Sequence, residues 1–174
     1  GPMSVDVWVL AAQAQCVFVS MAELVDWPWI GAMARSVGTI FLDRQQKRSI
    51  PTANRAIEAA LAEGHVVVLF PEGTSSCGER VEPFRPSLLE PALARGVRTA
   101  YATLRYETAA GDPPASRSVC WVETPFLRHA ALLLQNRRVR ASLTFGSEPL
   151  IARDRKALAL ELHGKVARRF VPMR

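Results

Sequence analysis

The sequence predicts an α/β domain: a mostly parallel central sheet of about six or seven strands with helices on both faces. Three observations predict it. Short β-rich runs alternate with helical stretches of roughly 10 to 17 residues, a rhythm that implies crossover connections between parallel strands. One run, Val66 to Phe70, is five consecutive apolar residues, as in a strand buried on both faces. The chain of 174 residues is 49% apolar and 22% charged. That suits one sizeable core and excludes disorder, collagen and a disulfide-stapled miniprotein.

The elements follow in order. Val17 to Met21 is a short β-rich run. Pro28 to Val37 predicts a helix that Gly38 ends, and Thr39 to Leu42 a second strand. In Pro51 to Glu63 the residues Ala53, Ile57, Ala60 and Leu61 share a helical face, and Gly64 closes the helix. After Val66 to Phe70 comes a helix over Ser87 to Arg95, ended by Gly96. Thr99 to Arg105 reads as a strand, and Gly111-Asp112-Pro113-Pro114 as the centre of a loop. A strand over Ser118 to Val122, a helix over Pro125 to Leu134 and a strand over Val139 to Phe145 come next. The last helix, Asp154 to Phe170, spaces Leu158, Leu162, Val166 and Phe170 by four. No repeat, low-complexity stretch or domain boundary interrupts this, so residues 3–174 read as a single domain. Gly1-Pro2 ahead of Met3 has the look of a protease-cleavage scar.

Lys and Arg number 22 against 16 Asp and Glu, a net charge of +6. A basic surface suits nucleic acid, phosphorylated ligands or an anionic membrane. No helix-turn-helix, zinc or RNP signature supports nucleic acid. Cys16, Cys77 and Cys120 are widely separated and show no metal spacing, which fits reduced thiols and no metal site. The longest charge-free run, Val7 to Ala22, is 16 residues, short of the ~20 a spanning helix needs. The expected form is therefore a peripheral one.

In open α/β sheets, ligands sit at the carboxyl ends of strands. Two such ends carry chemistry. At Phe70-Pro71-Glu72-Gly73-Thr74-Ser75-Ser76 an apolar strand runs straight into a turn. Pro ends the ladder, Gly permits a tight bend, and hydroxyls and backbone N–H groups can meet an anion. Glu72 sits at the edge of a hydrophobic core, costly unless paired. At Gly38-Thr39-Ile40-Phe41-Leu42-Asp43-Arg44 a second strand delivers an arginine whose fork fits a phosphate.

These two blocks, with Phe18-Val19-Ser20-Met21-Ala22-Glu23-Leu24 and the following Pro28 and Gly31, resemble the glycerolphosphate acyltransferase superfamily, closest to the 1-acyl-glycerol-3-phosphate acyltransferases. The resemblance runs from Asp6 to about Ala102. It implies transfer of a fatty acyl chain from acyl-CoA or acyl carrier protein, as co-substrate with no bound cofactor, to the free hydroxyl of a lysophospholipid. Lysophosphatidic acid, converted to phosphatidic acid in phospholipid biosynthesis, is the expected acceptor. A lyso-ornithine lipid is the rival. By the same resemblance Arg44 grips the acceptor phosphate, while Glu72, Gly73, Thr74 and Ser75 help bind the acceptor. It also implies a position at the cytoplasmic face of a bacterial cell membrane. Trp27 and Trp29, near Arg35, Lys47 and Arg48, suit a membrane or acyl contact.

The family's first motif is a His, four residues, then an Asp. The His is the general base on the acceptor hydroxyl and the Asp orients it. Asp6 matches the acid, and counting back five reaches Gly1. The three histidines are His65, His129 and His163. His65 lies at the opposite end of a strand of roughly 17 Å from Glu72, and the other two fall outside every matching block. Met21 stands where the family favours Lys, and Arg98 where Pro is common. The expectation is a chain that binds acceptor and turns over poorly, either a clipped acyltransferase core without the family's N-terminal hydrophobic helices or a non-catalytic lipid-binding homologue.

Overall fold

The structure is a computed structural model that describes residues 16–21, 40–42, 49–72, 79–119 and 126–172. It is an α/β arrangement. Strand β1 (Cys16–Met21) lies between β2 (Ile40–Leu42) and β3 (Val66–Leu69), and both pairings are parallel. Met21 pairs with Leu42 and Val19 with Leu69. The carboxyl ends of β2 and β3 therefore flank the same end of β1, about 10 Å apart across two strand spacings. That end is where the sequence places its chemistry.

Helix α1 (Ser49–Ala62) makes the crossover from β2 to β3. It buries Ala53, Ile57 and Ala60, the face its periodicity predicts. Gly64 ends it at φ +83°, and the His65 N–H reaches back to the Ala60 carbonyl at 3.0 Å. A residue with a Cβ is strained in that left-handed conformation. The Asn54 amide then donates to the Ser87 carbonyl at 2.9 Å, tying α1 to the segment beyond β3.

That segment is a 3-10 turn (Pro86–Leu89) followed by α2 (Glu90–Ala94), rather than the one helix expected over Ser87 to Arg95. Pro91 explains the break: it lacks an N–H, so it fits the first turn of α2 and not a helix interior. The final helix, α5 (Arg155–Arg169), starts at Asp154, whose carboxylate accepts the Ala157 N–H at 2.9 Å. Leu158, Ala159 and Leu162 of α5 form a buried cluster with Leu89, and Leu69, Phe84, Tyr101, Leu150 and Ala152 pack on it. Each buried leucine contributes on the order of 2 kcal/mol. This core seats α5 directly beneath the segment that follows β3.

Strands β4 (Ala102–Thr108) and β5 (Val139–Phe145) pair antiparallel, from Ala102–Phe145 to Thr108–Val139. Between them lie α3 (Ala115–Ser118) and α4 (Phe126–Leu134). The described strands thus form a parallel sheet of three and an antiparallel pair, not one mostly parallel sheet of six or seven. A connection of this length permits either direction of return, and apolar patterning does not record direction.

Three local expectations change. Thr99 makes only a bridge to Leu150, and the strand proper starts at Ala102. Ser118, the expected start of a strand, instead closes a helical turn that begins after Pro114, its N–H bonded to the Pro114 carbonyl at 3.0 Å. Strand β3 is not buried on both faces: Val66 is 51% exposed and the following Phe70 57%. Among the described residues β3 pairs only with β1, which leaves it at an edge. The expected helix over Pro28 to Val37 lies outside the described residues, as does most of Ser118 to Val122. No helix among the described residues is long and apolar enough to cross a membrane.

Candidate functional site

The site is built on the turn after β3. Pro71 stops the ladder, and its carbonyl accepts the Arg85 N–H at 2.8 Å. That bond folds the segment ending at Arg85 back over the turn. The Glu72 carboxylate is thereby held half-buried, and its Oε2 accepts the backbone N–H of Glu82 at 3.0 Å. Glu82 in turn pairs its own carboxylate with Arg80, Oε1 to Nε at 2.7 Å. From the other side comes α5. The His163 Nε2 lies 3.2 Å from the Val81 carbonyl, and its ring stands edge-on to Phe84 at 5.4 Å between centroids. A carbonyl only accepts, so the Nε2 carries the proton.

Glu72 is held above the usual carboxylate range. Burial is the main cause, and the neighbouring Glu82 carboxylate adds to it; the Glu82 N–H and the proximity of His163 act the other way. Among the described residues Glu72 receives one hydrogen bond, although a carboxylate can accept about four. A half-buried carboxylate at the carboxyl end of a strand suits a ligand that donates, such as a hydroxyl or an ammonium group.

Of the residues predicted for the site, Glu72 is the one the structure describes. Asp6, Trp27, Trp29, Arg44, Gly73, Thr74 and Ser75 lie outside the described residues. Their strands bear on placement, since the ends of β2 and β3 that precede Arg44 and Gly73 share one sheet edge. His65 sits at the far end of β3 and meets Glu63 at 3.0 Å instead. His163, read from the sequence as a helix residue outside every matching block, stands beside Glu72's supporting segment. The signal that could have found it is its position next to Leu162 on the buried face of an amphipathic helix, an expensive place for an unpartnered imidazole.

Residues 2–100 match the family described as Acyltransferase. The chain is 33% identical over 161 residues to the lyso-ornithine lipid O-acyltransferase of Rhodobacter capsulatus, covering 88% of this chain and 58% of the relative. It is 28% identical over 153 residues to the 1-acyl-sn-glycerol-3-phosphate acyltransferase of Neisseria meningitidis, covering 88% and 60%. The crystal structure of the 1-acyl-sn-glycerophosphate (LPA) acyltransferase from Thermotoga maritima shares the fold, with TM-score 0.53 and 18% identity over 90% of this chain and 56% of that one. The chain thus spans about six-tenths of the length of the curated relatives it matches. It belongs to the acyltransferase family, within the glycerolphosphate acyltransferase superfamily.

Proposed function

We propose that this chain is the acceptor-binding fold of an O-acyltransferase of lipid biosynthesis, acting on a lysolipid at a membrane surface. The observation that carries it is the half-buried Glu72 carboxylate, its pKa raised, at the carboxyl end of β3, where the resemblance implies an acceptor-binding Glu-Gly. In the reaction the acceptor hydroxyl oxygen forms a C–O bond to the carbonyl of an acyl-CoA or acyl carrier protein thioester. The C–S bond breaks, and the hydroxyl proton passes through the base to the departing thiolate. Glu72 accepts a hydrogen bond from the acceptor and fixes its headgroup. Gly73, Thr74 and Ser75 extend that contact, Arg44 forks onto a phosphate, and Asp6 orients the base. Trp27 and Trp29 meet the acyl chains at the cytoplasmic face of an anionic bacterial membrane, where the basic surface helps hold the chain.

Lysophosphatidic acid is the leading acceptor because Arg44 suits its phosphate. A second reading, lyso-ornithine lipid, is favoured by the relative in Rhodobacter capsulatus and by Glu72, which suits an ammonium group. Titration of the purified chain with each lipid separates them. Under the first reading Arg44→Ala weakens lysophosphatidic acid binding more than tenfold, at least about 1.4 kcal/mol. Unchanged binding removes Arg44 from the site.

A further inference from the structure

Among the described residues one peptide group meets the Glu72 carboxylate, and that group is held at its other end by a helix far along the chain. The Val81 carbonyl and the Glu82 N–H belong to the same peptide unit, which is planar and rigid. His163 donates to the carbonyl at 3.2 Å, and Glu72 takes the N–H at 3.0 Å. In a trans unit these two groups point opposite ways, so fixing one aims the other. Donation to the carbonyl also polarises the N–H, strengthening its bond to the carboxylate.

The docking of α5 does not need this contact. Leu158, Ala159 and Leu162 already bury its face against Leu89 and the residues around it. The imidazole contributes direction more than adhesion, and Phe84 holds its ring edge-on. His163 also lies beyond residues 2–100, the stretch that matches the family.

We propose that His163 is a positioning residue for the acceptor site, acting through the Val81–Glu82 peptide to aim the Glu72 carboxylate. This rests on the reading that Glu72 binds the acceptor. It makes the last helix part of the site's apparatus rather than only part of its core.

The test is a double-mutant cycle on lipid binding, with lysophosphatidic acid and lyso-ornithine lipid titrated separately into the purified chain. Gln places its amide nitrogen near the position of Nε2, and Asn places its own near Nδ1. His163→Gln is expected to bind the better lipid within about twofold of the parent. His163→Asn and His163→Ala are expected to bind at least about fivefold more weakly. In a Glu72→Ala background, His163→Ala should add no further loss. A loss of the same size in both backgrounds, or a Gln variant as weak as the Ala variant, overturns the proposal. If His163→Ala does not fold, the Asn and Gln pair decides by the same criterion. Parent-like binding by Glu72→Ala alone overturns the acceptor-binding reading of Glu72 itself, an outcome distinct from a failed cycle.

Discussion

Two acidic side chains, each on a loop shortly after a strand, stand in opposite electrostatic states. Glu72 follows β3, and Asp112 follows β4. Asp112 is paired with Arg137 through both oxygens. Its Oδ2 accepts the Arg137 N–H at 2.8 Å, its Oδ1 accepts Arg137 Nε at 2.8 Å, and the same guanidinium reaches the Ala110 carbonyl at 2.7 Å. The Arg137 side-chain bond is the main reason its carboxyl lies below the usual range. Glu72 has, among the described residues, one backbone donor and a like charge beside it, and its carboxyl lies above that range. The Asp112 loop spends its charge on internal order, joining both ends of the β4–β5 connection. The Glu72 carboxylate is half-buried beside a like charge, which disfavours its ionised form and costs stability.

The comparison breaks first at Glu72→Gln. The amide keeps the acceptor for Glu82 N–H and removes the charge. Lysolipid affinity should fall by about tenfold or more, the scale of a charge-assisted contact. The melting temperature should hold or rise, because a half-buried charge is gone. A variant that binds normally and melts lower would place Glu72 with Asp112 as a structural acid.

Asp112→Asn and Arg137→Ala make the reverse test. Both should lower the melting temperature and leave lysolipid binding within about twofold. The pH dependence sharpens the contrast, and the signs differ. The folded carboxyl of Glu72 is raised, so the folded chain holds that proton more tightly than the unfolded chain. Its contribution therefore becomes less favourable as pH rises from the ordinary carboxylate value through the raised one. Asp112 is lowered, so its stabilisation is full above the ordinary value and is lost as pH falls through the lowered one. Melting curves against pH should show Glu72→Gln above the parent at neutral pH and Asp112→Asn below it. Both differences should close on acidification, that of Glu72 at the higher pH. Differences of the same sign would contradict the assignment.

How far the sequence foresees this varies with the kind of signal. The parallel direction of β1, β2 and β3 is legible in the strand–helix alternation, because a crossover helix such as α1 returns the chain parallel, but their order is not. Glu72 at a strand end is legible from the apolar run into Pro-Glu-Gly. The antiparallel return of β5 is not, since residues with mixed exposure such as those of β5 fit either direction. His163 is missed because its partner is a backbone carbonyl 82 residues away, and a carbonyl has no residue identity to read. Arg137 with Asp112 is missed for a related reason: a charged pair 25 residues apart is indistinguishable in sequence from two solvated charges.

The smallest expected effect tests whether the Asp112 loop is ordered by its ion pair alone. Ser118 is fully buried at the end of α3. Its hydroxyl has one proton and three acceptors in reach: the Pro114 carbonyl at 3.1 Å, Asn136 Oδ1 at 3.3 Å and the Pro113 carbonyl at 3.4 Å. Asn136 directs its amide to the Leu132 and Leu133 carbonyls, at 3.2 and 3.1 Å, so it closes the end of α4 while facing Ser118. Arg137 follows immediately. Ser118 and Asp112 thus hold adjacent residues of one strand entry from opposite sides of the Pro113-Pro114 pair. Ser118→Ala removes the donor but leaves the Pro114 carbonyl accepting the Arg117 and Ser118 N–H groups, so the loss should be about 0.5–1.5 kcal/mol. Measured by denaturant unfolding, that loss should shrink in an Arg137→Ala background, because contacting networks are not additive. Full additivity would mean that the ion pair and the buried hydroxyl order the loop independently, and that Asp112 orders less of it than its two-oxygen pairing with Arg137 implies.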